Sequence, residues 1–327
     1  MKALKSKRGV VLILVLSMVA LFSAMIVNFS SDEALDIELA YNFRDSIQAQ
    51  YIAMAGVEAA KVILSQDNAG YDSLDEQWAD FPVFAASAST YLEGGQLTGT
   101  ITDECSKFDL NSLAINNDNH RSWRELQFKR LFTVLNIDIT PEELDDLTNS
   151  IIDWESAASE VSIVGAKDEY YQSLEPPYHC KNGPMDSIEE IMLVRGMKKE
   201  YFFGTENYEG IRNYITVSLN TSTCGKININ TASETVLRSI DDRFTEDVVN
   251  NIVADRPFKN ISDVSGIRGL DLTDTEGSWI KSNILAIKSQ RFSVDVTGKM
   301  PSGALINVNA ILERISNNPR IVYYRIY

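Results

Sequence analysis

Cysteine and histidine are scarce in this chain of 327 residues. It contains three cysteines and two histidines, and no two cysteines have the CxxC spacing that is typical of zinc sites. Because the number of cysteines is odd, at most one disulfide can form within the chain. The sequence also lacks the Gly-x-Ser-x-Gly, His-Glu-x-x-His and phosphate-loop motifs. These absences predict a protein that is not an enzyme and does not bind zinc.

Positive charge is concentrated at the N-terminus and is sparse elsewhere. The net charge of the chain is −16, although Lys2, Lys5, Lys7 and Arg8 all lie in the short segment that precedes Gly9. The rest of the chain is therefore strongly acidic. Because binding of nucleic-acid phosphates requires clustered lysine and arginine, we predict no nucleic-acid partner. The acidic body leaves cation binding open.

No charged residue interrupts the segment from Gly9 to Ser31, and residues 10–27 are apolar except for two serines. At about 1.5 Å per residue, a helix of this length crosses a hydrocarbon core of about 30 Å. Basic residues precede the segment and acidic residues follow it. This asymmetry predicts a cytoplasmic N-terminus and a body on the far side of the membrane.

A regular apolar pattern continues beyond the membrane segment. Proline is absent from residues 10–66, and apolar residues recur at every fourth position, namely Leu35, Leu39, Phe43, Ile47 and Tyr51. This spacing predicts one continuous helix that is apolar all round in its first half and amphipathic in its second half. The alternative, a cleaved secretory signal, would have a shorter apolar core followed by small residues.

The start of this helix resembles a processing site. The stretch Lys7-Arg8-Gly9-Val10-Val11, together with the long helix, resembles the prepilin peptidase site and the stalk of the type IV pilin superfamily. The resemblance implies cleavage between Gly9 and Val10, which leaves a methylated N-terminus on Val10. Most pilins have glutamate at the fifth mature position, where this chain has Leu14. Lack of that glutamate is typical of the K-type minor pseudopilins of type II secretion (the GspK family).

The body of the chain alternates between strand and helix patterns. Residues 97–101 alternate apolar and polar, and strand patterns return after residue 284. Four segments between them have the capping-box spacing of a helix start: Ser122 with Glu125, Thr140 with Glu143, Ser187 with Glu190, and Thr231 with Glu234. This order of elements predicts an α+β fold. Its parts are a leader (1–9), a transmembrane and stalk helix (10–66), a small antiparallel-sheet pilin-like domain (67–112 and 283–327) and an inserted all-helical domain (113–282).

Further motifs extend the resemblance over nearly the whole chain. Their order and spacing are similar to those of the K-type family: Asp103-Glu104-Cys105-Ser106-Lys107-Phe108-Asp109-Leu110-Asn111, Ile152-Asp153-Trp154, Gly165-Ala166, Tyr170-Tyr171, Pro177-Tyr178, Leu193-Val194-Arg195-Gly196, residues 226–233 and Arg256-Pro257-Phe258. Asp109 stands where the family usually has asparagine.

The resemblance implies a function in secretion. A K-type protein is a minor pseudopilin at the tip of the periplasmic pseudopilus, with I- and J-type minor pseudopilins as partners. It is anchored in the bacterial inner membrane, contacts the inner-membrane secretion platform, and supports export of folded proteins across the outer membrane. The alternatives are a minor pilin of a type IV pilus or competence system, and a DNA-binding uptake receptor.

The receptor alternative depends on residues 226–270, which also resemble a helix-hairpin-helix module. Such modules bind phosphate through the backbone amides of Gly-rich hairpins, helped by lysine or arginine. The first hairpin position reads Asp241-Asp242-Arg243-Phe244 and has no glycine. Residues 225–270 contain six basic and seven acidic residues. We therefore predict that this segment is a helical packing unit.

The resemblance also implies calcium, which K-type pseudopilins bind in the inserted domain. Oxygen ligands suit this ion. The candidate ligands here are Asp153, Glu155, Asp168 and Glu169, although Lys167 stands where the family has a carboxylate. A second acidic loop offers Asp271, Asp274 and Glu276. The sequence leaves open whether calcium binds at all.

A periplasmic location permits a disulfide. Three pairings of Cys105, Cys180 and Cys224 are possible. We predict the pair Cys180–Cys224, because both residues lie in loops that border the helical insert.

Overall fold

The computed structural model describes residues 7–67, 70–114, 118–157, 165–219, 224–315 and 318–327. Residues 1–6 of the predicted leader lie outside this set. Helix α1 runs over Lys7–Gln66 without a break. The predicted long helix is therefore confirmed, and it begins three residues earlier than expected.

The C-terminal part of α1 packs on a four-stranded antiparallel sheet. The strands are β1 (Gln96–Asp103), β6 (Arg291–Lys299), β7 (Leu305–Ile315) and β8 (Asn318–Ile326), in the order β1-β6-β7-β8. A short helix, α2 (Phe81–Ala88), lies against β1. The core between helix and sheet contains small and branched apolar side chains, including Ala53, Val57, Ala60, Leu64, Val294, Val296, Val308 and Ala310.

Small residues let α1 approach the sheet closely. Gly298 of β6 lies directly under Ala49 of α1, and a Cβ atom on Gly298 would lie 2.0 Å from the Ala49 carbonyl oxygen. Gly56 is confined in the same way, because a Cβ there would lie 2.8 Å from the Leu97 side chain. Larger side chains at these positions would push the helix away from the sheet.

The segment between β1 and β6 forms the insert. Its helices are α3 (Asp118–Val134), α4 (Pro141–Glu155), α5 (Asp168–Gln172), α6 (Lys199–Phe203), α7 (Glu234–Ile240), α8 (Glu246–Asp255) and α9 (Thr275–Asn283). They surround two separate apolar cores. One core comprises buried residues between Phe108 and Val217, and the other comprises buried residues between Ile227 and Leu285.

The insert differs in two respects from the all-helical domain predicted over 113–282. It contains two short parallel pairings, of β2 (Phe108–Asp109) with β3 (Ile215–Thr216) and of β4 (Ile227–Asn228) with β5 (Leu285–Ala286). Strands β2 and β5 therefore belong to the insert although the sequence assigned them to the pilin-like domain. A strand of two residues is too short to show a periodic pattern, which explains why β2 was missed, whereas β5 lies in the strand pattern predicted after residue 284.

Buried polar contacts join the insert to the sheet. Asp103, the last residue of β1, accepts hydrogen bonds through Oδ2 from Asn228, Thr231 and Ser289 at 2.6–3.0 Å. Its Oδ1 accepts from the Cys105 backbone N–H at 2.8 Å. Burial raises the pKa of Asp103, although these hydrogen bonds oppose the shift. One carboxyl group thus connects β1 with both ends of the second core.

Candidate assembly surfaces and acidic sites

The first half of α1 extends away from the body. The helix from Gly9 to Gln66 is long and apolar enough to span a membrane. Every side chain described between Gly9 and Arg44 is exposed. Gly9, Val10 and Leu14 lie on this free part of the helix, so the predicted processing site is accessible. Cleavage after Gly9 stays a prediction.

The second half of α1 has two unlike faces. Asp45, Ala49 and Ala53 are buried against the sheet. The repeating residues Leu35, Leu39, Phe43, Ile47 and Tyr51 are all exposed, and 69% of the Phe43 surface and 67% of the Tyr51 surface are open to solvent. At about 100° per residue, Ile47 and Ala49 point to nearly opposite sides. The apolar repeat therefore does not pack on its own body. We call Phe43, Ile47 and Tyr51 the stalk ridge.

A second apolar surface lies at the edge of the sheet. Among the described strands, β8 pairs with β7 alone and forms the end of the sheet order. Tyr324 and Ile326 lie opposite Ala310 and Val308, which pack under α1. They therefore share the α1 face of the sheet, yet they are 37% and 41% exposed. Edge strands with unpaired backbone groups are sites at which another chain can pair.

The other face of the sheet borders a polar cleft of about 710 Å³ against the insert. Glu104 lies in its wall and accepts hydrogen bonds from Lys107 Nζ and Ser293 Oγ, both at 2.7 Å. Burial would raise the pKa of Glu104, but the Lys107 ammonium and the hydroxyl donors hold it below the ordinary value. The Glu104 charge is therefore satisfied inside the protein, and it joins the segment after β1 to β6.

Within the described residues, the four carboxylates of the first predicted calcium site do not form one cluster of ligand atoms. Asp153 and Glu155 are buried in the last turn of α4. Asp168 Oδ1 instead accepts from the Cys180 backbone N–H at 2.7 Å, and Glu169 is exposed. Among the described residues, both carboxyl oxygens of Glu155 are buried without a hydrogen-bond partner. Burial raises the pKa of Glu155 well above its ordinary value, and the nearby Asp109 and Glu190 raise it further.

The second predicted site is closed by an arginine. Arg243 donates to Asp274 Oδ1 and to Glu276 Oε2, both at 2.9 Å. Asp274 also caps α9 by accepting from the Gly277 backbone N–H at 2.6 Å. Asp271 accepts from the Thr273 backbone and hydroxyl groups, which lower its pKa. The guanidinium group thus occupies the position of a cation between two of the three predicted ligands.

Three acidic side chains approach one another elsewhere in the described part of the chain. Asp67, Asp72 and Glu76 have carboxylate oxygens within 4.8 Å of one another. Arg314 donates to Asp67 and, through Nη2, to both oxygens of Asp72 at 2.5 and 2.6 Å. This cluster is an arginine–carboxylate network that ties the end of α1 to β7, and the sequence pattern did not reveal it.

The predicted disulfide is wrong. Cys224 bonds to Cys105, whose Cα atom lies 4.7 Å away. Cys180 is a buried free thiol in the first core, with its sulfur 3.8 Å from the carbonyl oxygens of Asp153 and Trp154. Cys105 follows β1 directly, and Cys224 lies just before β4, so both belong to the junction at Asp103. The positions of the cysteines in predicted loops could not show that Cys105 and Cys224 lie close together.

Two basic side chains of residues 226–270, Arg243 and Arg256, are engaged within the insert. Arg256 donates to the carbonyl oxygens of Ile229 and Ala232 at 2.8 and 2.6 Å. Arg243 is held by the acidic loop, as described above. This segment forms the second core of the insert, in agreement with its prediction as a packing unit.

Two family models match the chain. Both carry the description "Type II secretion system (T2SS), protein K", and they match residues 106–217 and 227–286. Together they cover more than half of the chain. The chain belongs to the type II secretion system protein K family. The predicted resemblance to K-type pseudopilins is therefore confirmed.

Curated members of the protein K family are distant relatives. The protein from Aeromonas hydrophila is 28% identical over 212 residues, which are 62% of each chain. The protein from Klebsiella pneumoniae is 25% identical over 197 residues, or 58% of each chain. The chain thus spans about three fifths of the length of the curated relatives it matches.

A solved structure shares the fold. It is a chain of the crystal structure of the GspK-GspI-GspJ complex from enterotoxigenic Escherichia coli. The TM-score is 0.67 at 17% identity, and the match covers 90% of this chain and 98% of that chain. The predicted α+β class of the protein K family is confirmed.

Proposed function

We propose that this chain is a minor pseudopilin at the tip of a type II secretion pseudopilus and that it has no enzymatic activity. Helix α1 anchors it in the bacterial inner membrane, with the N-terminus in the cytoplasm and the body in the periplasm. Prepilin peptidase cleaves it after Gly9. It assembles with I- and J-type minor pseudopilins, contacts the secretion platform and supports export of folded proteins. Membership of the protein K family supports this assignment.

The stalk ridge is the observation that carries the proposal. Phe43, Ile47 and Tyr51 follow the first acidic residues after the membrane segment, so they lie in the aqueous compartment. They are exposed although the body of the protein packs against the same turns of α1. Removal of apolar surface from water contributes about 25 cal/mol per Å². A ridge of this kind is stabilised when another apolar helix covers it, as in a bundle of pilin stalks.

Two further features support a terminal position. The insert is larger than the sheet domain, so it is too bulky to repeat along a thin filament. Leu14 offers no carboxylate to the N-terminal amine of a neighbouring subunit. A subunit at the apex has no neighbour beyond it and requires no such carboxylate.

Co-purification of the full chain with its candidate I- and J-type partners tests the proposal. The three proteins are expressed together from one genome and extracted in detergent. We expect a stable ternary complex that Phe43→Lys disrupts, because the substitution places a charge on the stalk ridge. Gln48→Lys is the matched control, since it adds the same charge at an exposed position off the ridge.

The readout is the amount of each partner recovered with the chain. Phe43 is exposed, so Phe43→Lys should leave the thermal stability of the isolated chain unchanged. Recovery of both partners by Phe43→Lys at the level of Gln48→Lys would contradict a role for the ridge. Failure of the unaltered chain to retain either partner would contradict the proposed function itself.

A further inference from the structure

The two edges of the four-stranded sheet differ. At the β1 edge, α2 packs on the strand, and the Ser89 hydroxyl satisfies the backbone of Leu97. It accepts from the Leu97 N–H at 2.8 Å and donates to the Leu97 carbonyl at 3.1 Å. At the β8 edge, every residue from Arg320 to Ile326 is exposed. Natural proteins usually cover or interrupt their edge strands, because unpaired backbone groups there can pair with another chain.

The register of β8 shows which backbone groups face this open edge. Tyr327 and Asn307 exchange two backbone hydrogen bonds, at 2.9 and 3.0 Å. Bonded and non-bonded pairs alternate along an antiparallel ladder, so Arg325 bonds to β7, whereas Tyr324 and Ile326 belong to non-bonded pairs. The N–H and C=O groups of Tyr324 and Ile326 therefore point away from β7, where a further strand would find them.

The side chains of β8 differ between the two faces of the sheet. Tyr324 and Ile326 lie on the α1 face and are partly exposed. On the opposite face, Arg325 and Tyr327 line the polar cleft, and the Arg325 guanidinium lies 5.4 Å from the centre of the Tyr327 ring. Residues 318–327 contain two arginines and no acidic residue, although the net charge of the chain is −16. The edge is therefore apolar on one face and positively charged on the other.

These features specify the chemistry of a partner. Backbone groups in strand geometry are complemented by an extended backbone, and Arg325 is complemented by a carboxylate on the neighbouring strand. Successive side chains of a strand point to opposite faces, so apolar and acidic residues would alternate along the partner. A second copy of β8 does not fit, because pairing would place arginine side chains of both copies on the same face.

We propose that β8 binds an extended segment of a different protein as a fifth strand of the sheet, and that this segment alternates apolar residues with aspartate or glutamate. Its apolar side chains cover Tyr324 and Ile326, and its carboxylates face Arg325 at the cleft. The proposal uses only the sheet edge, so it does not depend on the stalk ridge or on the secretion function.

Binding of synthetic peptides to the full chain in detergent tests the proposal. The probe is a fluorescent peptide as long as β8 in which valine and glutamate alternate, and a second peptide has lysine in place of glutamate. A third peptide repeats the first with methyl groups on its central backbone nitrogens, which removes the donors that a strand needs. We expect saturable binding of the glutamate peptide by fluorescence anisotropy, and about fivefold weaker binding of the other two.

The substitution Arg325→Glu provides the second arm. It should weaken binding of the glutamate peptide about fivefold and strengthen binding of the lysine peptide by a similar factor, because it exchanges attraction and repulsion between neighbouring strands. Arg268→Glu is the matched control, since Arg268 is exposed in the insert and the charge change is the same. The control should leave both affinities unchanged. Equal effects of the two substitutions would refute the role of Arg325.

Hydrogen exchange at single-residue resolution locates the bound peptide. The amides of Tyr324 and Ile326 should exchange at least about tenfold more slowly when the glutamate peptide is bound, whereas the amide of Arg325, already bonded to β7, should change little. Equal binding of all three peptides, no binding at about 1 mM peptide, or protection confined to another surface would overturn the proposal. So would a dimeric mass in sedimentation with both amides protected in the absence of peptide, because a second copy would then occupy the edge.

Discussion

Replacing Asp109 with asparagine should make the protein more stable at neutral and alkaline pH. Asp109 is buried at the start of the insert, where its Oδ1 accepts from the backbone N–H groups of Asn111 and Ser218 at 3.2 and 3.1 Å. Its Oδ2 has no hydrogen-bond partner among the described residues. Burial raises the pKa of Asp109 to about 7, although the two backbone donors and the Arg124 guanidinium lower it. Asparagine keeps the Oδ1 acceptor and carries no charge.

The sign of the effect follows from the two states of the chain. An aspartate in the unfolded chain has a pKa of about 3.9, so the folded protein holds the Asp109 proton more tightly. Below about pH 4 Asp109 is protonated in both the folded and the unfolded chain, so its raised pKa does not reduce the free energy of unfolding there. As the pH rises from about 4 to about 7, only the unfolded state ionises, and the free energy of unfolding falls by about 1.4 kcal/mol per pH unit.

Between about pH 4 and about pH 7 the free energy of unfolding therefore falls by about 4 kcal/mol in total. Asparagine removes this loss, but it also removes the carboxylate next to Arg124. We therefore expect Asp109→Asn to gain roughly 2 kcal/mol at about pH 8, and to differ little from the unaltered protein at about pH 4. For a body of this size, such a gain raises the melting temperature by about 4–8 °C.

The assay is thermal unfolding, followed by near-ultraviolet circular dichroism, at several pH values between about 4 and 8, the window of the Asp109 shift. Asp255→Asn serves as the control, because Asp255 is exposed on α8 and the substitution makes the same chemical change there. A gain for Asp109→Asn that is equal at both ends of the pH range would refute the linkage argument. A loss of stability at about pH 8 would show that the charge of Asp109 is required.

Four further outcomes concern the N-terminus and the cysteines. Intact mass of the membrane-extracted protein should show a chain that starts at Val10, and a start near residues 28–32 would contradict the pilin assignment. Leu14→Glu should leave secretion unchanged or reduce it, because an unpaired carboxylate within the bilayer costs a few kcal/mol, on the order of 2–4; improved secretion would refute the apex argument. A peptide map without reduction should contain Cys105 linked to Cys224, and Cys180 should react with a thiol reagent only after unfolding, since it is buried.

The long helix could be predicted because its signals are local. Residues 10–66 contain no proline and keep an apolar pattern throughout, so propensity and periodicity agree. The capping box at Thr140 and Glu143 is a second local signal that the structure confirms. Thr140 Oγ1 accepts from the Glu143 backbone N–H at 3.2 Å, and the Thr140 backbone N–H donates to Glu143 at 3.1 Å.

Two other predicted capping boxes do not form, because their side chains bind residues that are distant in the sequence. At Thr231 and Glu234, helix α7 is capped by Ser233 instead, and the Thr231 hydroxyl donates to Asp103. At Ser187 and Glu190, a 3₁₀ helix forms without a side-chain cap, since Glu190 is held by Trp154 and Lys181. Local sequence contains no information about such distant donors, which explains why the junction at Asp103 could not be foreseen.

The candidate surfaces also differ in whether local sequence or distant contacts determine them. The exposed stalk was implied by its composition, because an apolar helix that long cannot be covered by its own body. The disulfide partner and the Arg314 network depend on residues far apart in the chain.

The two ends of the insert lie next to each other in the sheet. Asp103, where β1 ends, lies opposite Phe292 at the beginning of β6, and the two strands are antiparallel neighbours. A two-residue turn could join them, and the remaining chain would be a complete four-stranded meander under α1. The large domain is therefore an insertion between the two strands of one hairpin. Insertion of one gene segment at that hairpin would convert a small pilin-like domain into a protein of this shape. Recombination at two points that flank the segment would exchange the inserted domain between relatives.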